Sequence, residues 1–535
     1  MHDYVIVGAG SAGCVLANLL SADPDCRVLL LEAGGEELPP AERMPAAWST
    51  MLNTEVDWSY HTVPQAGAMK RRLFWPRGKM LGGSGSINCM TYIRGLPSDF
   101  DHWCSLGNSG WGWKEVLPFF VKSEHNERFK NDPLHGQGGP ITVSDPFYVD
   151  PTDQLYLKAA LASGFPHNSD FNGATQEGVG LFQQTIKDGA RSSSFSAYLK
   201  PVMSRPNLTI VNRAMCTRIV VKNGRATGIE YLHFGKPVTV HASTEVILSA
   251  GAINTPHLML MSGIGPAEEL RKLGVHLVHD LPGVGKNLQD HLAIGVTFDA
   301  TEEIGLAGMS QEEVGKAIQD WQTHHRGPMS SNGSTSGGHI RSDASVSEPD
   351  LQVYFLATGD RDHCRYLSTG SGITFLINLQ RPKSQGEIRL HSADPLSHPV
   401  IDPQYLTDSE GTDLSTLVKG VRLNRQIAAT EPLTSLLTGE IALSADCKTD
   451  AEIGAYIRRH CQTLYHPCGT CSMGTHSLAV VDPELKVRGL AGLRVADASV
   501  FPRIISGNLN ATTVMVAERA AAMVLSDHSP ILTKS

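Results

Sequence analysis

Three glycines, Gly8-x-Gly10-x-x-Gly13, with an acid, Glu32, nineteen residues past the third, carry the clearest chemical signal in this chain. Such a set binds the ADP part of a dinucleotide. Gly8 permits a tight turn, Gly10 lets backbone approach a pyrophosphate, and Gly13 lets a helix pack close on a strand. Glu32 can accept hydrogen bonds from ribose hydroxyls. Dinucleotides carry hydride chemistry, so a redox reaction is expected, with NAD and FAD both open. A second candidate is Cys468-x-x-Cys471, near His460, Cys461, His466 and His476. Zinc would need a closed set of four ligands, and no second Cys-x-x-Cys or His-x-x-x-His supplies it. Packing cysteines and no metal are expected there. With 22 histidines in the chain, any one taken alone reads as structural.

The glycine set works only between a strand and a helix, and the sequence supplies both. Asp3-Tyr4-Val5-Ile6-Val7 reads as a buried strand, Ser11 to about Leu20 as a helix, and Arg27 to Leu31 as a second strand ending at Glu32. Amides at the helix start then face the phosphates, where the helix dipole favours negative charge. Farther along, Leu208-Thr209-Ile210-Val211 and Arg218-Ile219-Val220-Val221 read as strands, with Asn223-Gly224 as a hairpin turn. Gly228-Ile229-Glu230-Tyr231 and the run to Val240 continue a meander. Glu245 to Leu248 leads into Ser249-Ala250-Gly251, and Leu493 to Val495 into Ala496-Asp497. Strand ends carrying Gly or Asp, spread over the whole length, predict an α/β Rossmann-type cofactor domain that is discontinuous: 1–150 with 205–292 and 456–535. The remainder, 151–204 with 293–455, is expected to form a substrate domain of antiparallel sheet and helices. Residues 326–348, rich in Gly and Ser, read as a linker or as a loop facing the substrate.

At 535 residues, two domains are the natural expectation. Hydrophobic content of 41% and charged content of 19% are those of a globular protein. A net charge of -9 argues against nucleic acid or an anionic membrane as partner. No apolar run approaches the roughly 20 residues that span a bilayer. With the first strand starting at Asp3, a cytoplasmic setting is expected, in which the ten cysteines stay reduced.

Four further segments need one explanation. Gly78-Lys79-Met80-Leu81-Gly82-Gly83-Ser84-Gly85-Ser86-Ile87-Asn88 offers bare backbone on which a flat ring can lie. Gly251-Ala252-x-x-Thr255-Pro256 leads on to Ser262-Gly263-Ile264-Gly265. Tyr465-His466-Pro467-Cys468-Gly469-Thr470-Cys471-Ser472-Met473-Gly474 and Asp497-Ala498-Ser499 with Ser506-Gly507-Asn508-Leu509-Asn510-Ala511-Thr512-Thr513 complete the set. Together with the opening glycines, these segments resemble the glucose-methanol-choline (GMC) family of FAD-dependent oxidoreductases, from Asp3 to about Val524. The resemblance implies FAD. It places Gly8, Gly10, Ser11, Ala12, Gly13, Glu32 and Ala33 at the ADP half. It places Met80, Gly83, Ser84, Asn88, Cys89 and Met90 along the pyrophosphate, ribityl chain and ring. Cys216, Ala250 and Gly251 fall near the adenine, Asp497 and Ala498 near the ribityl or pyrophosphate, and Asn508 and Thr513 at the ring edge. His466 falls at the catalytic base and Asn510 at the second active-site position. Some members tether the flavin through a histidine at the position of Ile87, which cannot form that bond, so the FAD is expected to be non-covalent.

The chemistry suits those residue types. Oxidising an alcohol removes a hydroxyl proton while the carbinol carbon gives up a hydride. Histidine is a natural proton acceptor near neutrality, and an asparagine amide can donate to the oxygen as charge builds there. The expectation is an FAD-dependent dehydrogenase of a primary alcohol, acting as a monomer or homodimer and passing electrons to a quinone or other acceptor. A sugar or polyol such as L-sorbose is favoured because residues 326–348 could supply polar contacts; an aliphatic alcohol and choline are the alternatives. A choline enzyme would need an aromatic and carboxylate cage, and only 6% of the residues are aromatic. An oxidase using O2 and a flavin-containing lyase share the same residues.

Overall fold

The computed structural model describes residues 1–361, 366–367 and 372–528. Its first large sheet is built around β1 (His2–Val7), joined through α1 (Ser11–Leu20) to β2 (Val28–Leu31). β1 and β2 pair in parallel, Tyr4 opposite Val28 through Val7 opposite Leu31. Strand Leu208–Val211 adds beyond β2, and Lys236–Leu248 pairs on the other side of β1. All four residues of β2 and the last four of β1 are buried, as befits a parallel sheet covered on both faces. Helix Asn510–His528 packs against α1 over one face.

The run to Val240 and the run Glu245–Leu248, read separately in the sequence, are one strand of 13 residues. Its first half pairs antiparallel with Arg225–His233. Its second half pairs in parallel with β1 and, at Val246–Leu248, with Leu493–Val495. Side chains alternate between half-buried and exposed in the first half and are continuously buried at the end. The change marks where the strand leaves a half-solvated meander and enters the covered core. Val7, Leu31, Leu248 and Val495 therefore end at one edge of the sheet. The turns that follow (Gly8–Gly10, Glu32–Ala33, Ser249–Gly251 and Asp497–Ala498) gather there, at the carboxyl ends of parallel strands, where such folds bind ligands.

The second sheet is antiparallel, in the order Ser336–Ile340, Leu351–Leu356, Gly372–Leu379, Leu292–Ala300 and Leu437–Glu440. Gln462–Thr463 pairs with Leu292 and Ala293, so a piece of the segment expected in the cofactor domain closes this sheet. Strand periodicity splits its two faces. Leu351, Val353, Phe355, Ile373, Phe375 and Ile377 pack with Leu417 and Val421 of helix Thr412–Ala428. Tyr354, Leu356 and Leu376, of opposite parity, turn toward the first sheet with Ala293 and Leu464. The stretch 326–348 is not a linker, since it contributes the strand Ser336–Ile340. Among the described residues, no helix is long and apolar enough to cross a membrane.

A buried ionic cluster joins segments far apart in the chain. Arg94 pairs with Glu124, and His135 bridges Glu124 (3.2 Å) and Asp170 (3.0 Å). Burial pulls the His135 imidazole down, but hydrogen bonds to Asp170 and Glu124 outweigh it and hold the ring up to about 9. A raised histidine contributes its stability in full below its ordinary value of 6.5 and loses it as pH rises through about 9. Melting temperature measured from pH 6.5 upward is expected to fall as His135 deprotonates. The fall should be smaller in a His135→Gln variant.

Candidate active site

One continuous cavity runs along the gathered turns and ends between the two sheets. Its lining runs from the Gly8–Ala12 turn to His466 and Asn508, so a dinucleotide and a substrate would share one space. At the first-sheet end the glycines behave as their spacing implies. Gly8 has φ +95°, and a Cβ there would stand 2.7 Å from the Ser249 carbonyl. A Cβ on Gly13 would stand 1.9 Å from the Gly8 carbonyl, so Gly13 serves helix packing and does not line the cavity. Gly10 faces open space, with nothing nearer than 3.8 Å.

No side chain caps α1 at Gly10. Its first amides are therefore open to an anion, and Ser11 and Ala12 line the cavity beside them. Glu32 is buried and accepts from the amides of Ala9 (2.9 Å) and Gly34 (2.8 Å). Burial raises its carboxyl to about 7 against those bonds. Asp497 accepts from Gly251 (2.8 Å), Thr255 (2.6 Å) and Ser499 (2.8 Å), locking two of the turns together.

Ala33, Gly83, Ser84, Asn88, Cys89, Met90, Cys216, Ala250, Gly251, Ala498, Asn508, Asn510 and Thr513 also line the cavity. Met80 does not. Its side chain is fully buried in a cluster with Met51, Leu52, Val56, Phe74 and Ile87, behind the wall it was expected to form. Gly83, at φ +53°, lies so close that a Cβ would stand 2.7 Å from the Gly10 Cα. Uncapped helix amides, bare glycine backbone and a buried ribose-type acid make a cradle that fits FAD. Ile87, at the cavity wall, offers no atom for a flavin bond. Acid precipitation of the purified protein is expected to release all of its flavin into the supernatant; colour retained in the pellet would contradict this.

His466 lies at the far end of the cavity. Its Nδ1 is 2.9 Å from Nδ1 of His291, whose Nε2 lies 3.1 Å from the Gln380 carbonyl. A carbonyl only accepts, so His291 carries its proton on Nε2 and presents Nδ1 as an acceptor. His466 must then donate from Nδ1, which leaves its Nε2 with a free lone pair. Burial above all, then the neighbouring His291 and Arg77, hold the His466 imidazole well below its ordinary 6.5. It is neutral at pH 7 and ready to accept a proton at Nε2.

The group nearest that nitrogen is the amide of Asn508, with Nδ2 at 3.3 Å. The expected partner was Asn510. Its amide instead donates to Ser11 Oγ at 2.9 Å, across to the start of α1. Asn510 begins the last helix, whose first turn faces α1, while Asn508 precedes that helix and faces His466.

The loop carrying His466 is held by groups that sequence reasoning missed. Tyr465 has φ +69°, a left-handed conformation costly for a non-glycine residue. Asp290, fully buried, accepts from the His466 amide (2.7 Å), from Thr463 Oγ1 (2.6 Å) and from the Tyr405 hydroxyl. Burial raises the Asp290 carboxyl to about 6. Arg77 donates to the Tyr465 carbonyl at 2.6 Å. Asp290 and His291 are neighbours at the start of strand Leu292–Ala300, and nothing in that dipeptide announces a role. Cys468 and Cys471 are buried and free, and no cluster able to hold a metal exists among the described residues.

Residues 2–293 and 382–517 match the N- and C-terminal models of the GMC oxidoreductases. The chain is similar to an alcohol dehydrogenase [acceptor] of Pseudomonas putida, 44% identical over 98% of this chain and 96% of that one. It is also similar to the mitochondrial choline dehydrogenase of Mus musculus, 42% identical over 98% and 89%. Among solved structures, pyridoxine 4-oxidase from Mesorbium loti superposes with a TM-score of 0.90 at 32% identity, over 99% of this chain and 100% of that one. With an open dinucleotide cradle at one end of its cavity, a neutral histidine at the other and both family models matched, the chain belongs to the GMC oxidoreductase family.

Proposed function

We propose that this protein oxidises primary alcohols with an apolar body to aldehydes. The observation that carries the reading is the pair His466 Nε2 and Asn508 Nδ2, 3.3 Å apart at the buried end of a cavity walled by Leu356, Leu376 and Leu464. FAD, when bound, supplies the acceptor for the hydride leaving the carbinol carbon and hands the electrons on to a quinone or other acceptor. Everything else falls to the chain. His466 Nε2 takes the hydroxyl proton, and Asn508 Nδ2 donates to the oxygen as it gains negative charge. His291 keeps the base in its working tautomer, Asp290 fixes its backbone, and the leucine wall keeps water from the proton acceptor.

The same wall chooses among the expected substrates. Of residues 326–348, only Ser334 reaches the cavity. Neighbouring Asn332 is committed to Cys89, Gln184 and Trp48. That stretch therefore presents almost none of the polar contacts a sugar would need. Among the described residues the lining carboxylates are Glu32 and Asp497, both held by backbone amides at the cofactor end. Neither faces the substrate end, which weighs against a quaternary ammonium such as choline.

Each methylene transferred into such a pocket is worth about 0.8 kcal/mol, roughly fourfold. From ethanol to 1-hexanol, kcat/KM is expected to climb by about that factor per carbon. Anaerobic mixing with 1-octanol, L-sorbose and choline, followed through the flavin absorbance, tests the reading. Bleaching by the alkanol is expected, and bleaching by sorbose or choline alone would overturn the substrate class. Hydrogen peroxide accumulating at the turnover rate in air would make the enzyme an oxidase. A flavin that no alcohol bleaches would favour lyase chemistry.

A further inference from the structure

The substrate-side sheet buries a row of polar side chains that the reaction above does not consume. His339, Gln352, Asn378 and Gln380 are each 0% exposed. Gln352 is the hub. Its Nε2 lies 3.3 Å from His339 Nε2, and its Oε1 accepts from Asn378 Nδ2 and Gln380 Nε2, both at 3.3 Å. Buried polar groups are costly unless paired, and this row is paired largely with itself.

Both of its ends reach the catalytic pair. On one side, the Gln380 carbonyl accepts from His291, which accepts from His466 Nδ1. On the other, the Tyr354 hydroxyl donates to Asn508 Oδ1 at 2.8 Å, and Gln352 Nε2 lies 3.5 Å from the same oxygen. The Asn508 amide thus receives on its oxygen from strand Leu351–Leu356 and gives from its nitrogen to His466 Nε2.

An asparagine amide is nearly symmetrical in shape but opposite in chemistry at its two ends. Turned over, Asn508 would set a carbonyl oxygen against the lone pair of His466 Nε2. That repulsion could be relieved only by moving the imidazole proton to Nε2, which destroys the base, and no donor would be left for the substrate oxygen. We propose that Tyr354, backed by Gln352, fixes which way the Asn508 amide points and so keeps His466 Nε2 an open proton acceptor. Tyr354 is then a positioning residue that acts through Asn508. The proposal rests on the alcohol-oxidation reading above.

Tyr354 also lines the cavity, so an effect through Asn508 has to be separated from direct contact with substrate. A double-mutant cycle does so. Tyr354→Phe removes one hydroxyl and leaves the ring that packs with Phe182. In the otherwise wild-type holoenzyme it is expected to slow anaerobic flavin reduction by 1-octanol about tenfold at saturation. In an Asn508→Ala background it should change that rate by less than twofold. Equal losses in the two backgrounds would overturn the proposal.

A second measurement needs no turnover. Nitrogen-15 spectra of histidine-labelled oxidised holoenzyme, with His466 assigned by its loss in His466→Gln, are expected to show the Nδ1–H tautomer in the wild type. Tyr354→Phe should add a population protonated at Nε2, and an unchanged spectrum would overturn the proposal. Should no alcohol reduce the wild-type flavin, the functional reading falls, while this spectrum still decides the role of Tyr354.

Discussion

Replacing His466 with glutamine lowers the limiting rate of anaerobic flavin reduction by a primary alcohol about 10³-fold while FAD stays bound. General bases contribute 10²–10⁴, and among the described residues this one has no substitute within reach. Of its neighbours, His291 spends its Nε2 proton on the Gln380 carbonyl and its lone pair on His466 itself, and Arg77 has no proton-accepting form near neutrality. Retention of FAD is expected because Gly8, Gly10, Ser11 and Glu32 lie at the other end of the cavity.

The same argument fixes the pH profile of the wild type. Burial, His291 and Arg77 hold His466 well below 6.5. Protonation disables it, so kcat/KM should be flat through neutrality and fall only as pH drops through that depressed value. An acid limb centred at 6.5 or above, or a glutamine variant within tenfold of wild type, would remove His466 from the role of base.

Asn508→Ala and Asn510→Ala are expected to fail in different ways. Losing one preorganised donor to a developing oxyanion typically costs 10²–10³ in rate, and about 10² is expected for Asn508→Ala with full FAD occupancy. Asn510 donates to Ser11 Oγ, at the start of the helix whose uncapped amides would hold the pyrophosphate. Its loss removes one hydrogen bond of about 1 kcal/mol, which weakens FAD retention roughly fivefold. The reduction rate of molecules that still hold FAD should stay near wild type. Flavin reduction measured at known FAD occupancy separates the two. A 10² loss of rate in fully loaded Asn510→Ala would return Asn510 to the catalytic position expected from the motif.

These two asparagines show where residue types stop being informative. They stand two apart in Gly507-Asn508-Leu509-Asn510, and either could serve as an oxyanion donor. The choice is made by backbone direction. Gly507 sits at φ +139°, and Asn510 is the first residue of a helix laid against α1. The amide of Asn510 is therefore carried toward the cofactor cradle and that of Asn508 toward His466. Met80 is a similar case, since the family resemblance implied a wall position while packing with Met51 and Phe74 put it behind the wall.

By itself the sequence determined the cofactor class and the α/β sheet built from scattered strands, and it supplied the proposed proton acceptor. The first two follow from short-range rules, a glycine spacing that only a strand, turn and helix can use and apolar runs that must be buried; the histidine came from the family resemblance. Tertiary structure alone decided the tautomer of that histidine, the identity of its amide partner and the apolar character of the substrate end. His291 and His466 are 175 positions apart, and Tyr354 and Asn508 are 154 apart. Hydrogen-bond polarity at the site is set by whichever groups the two sheets bring face to face, and no local pattern in the chain encodes that meeting.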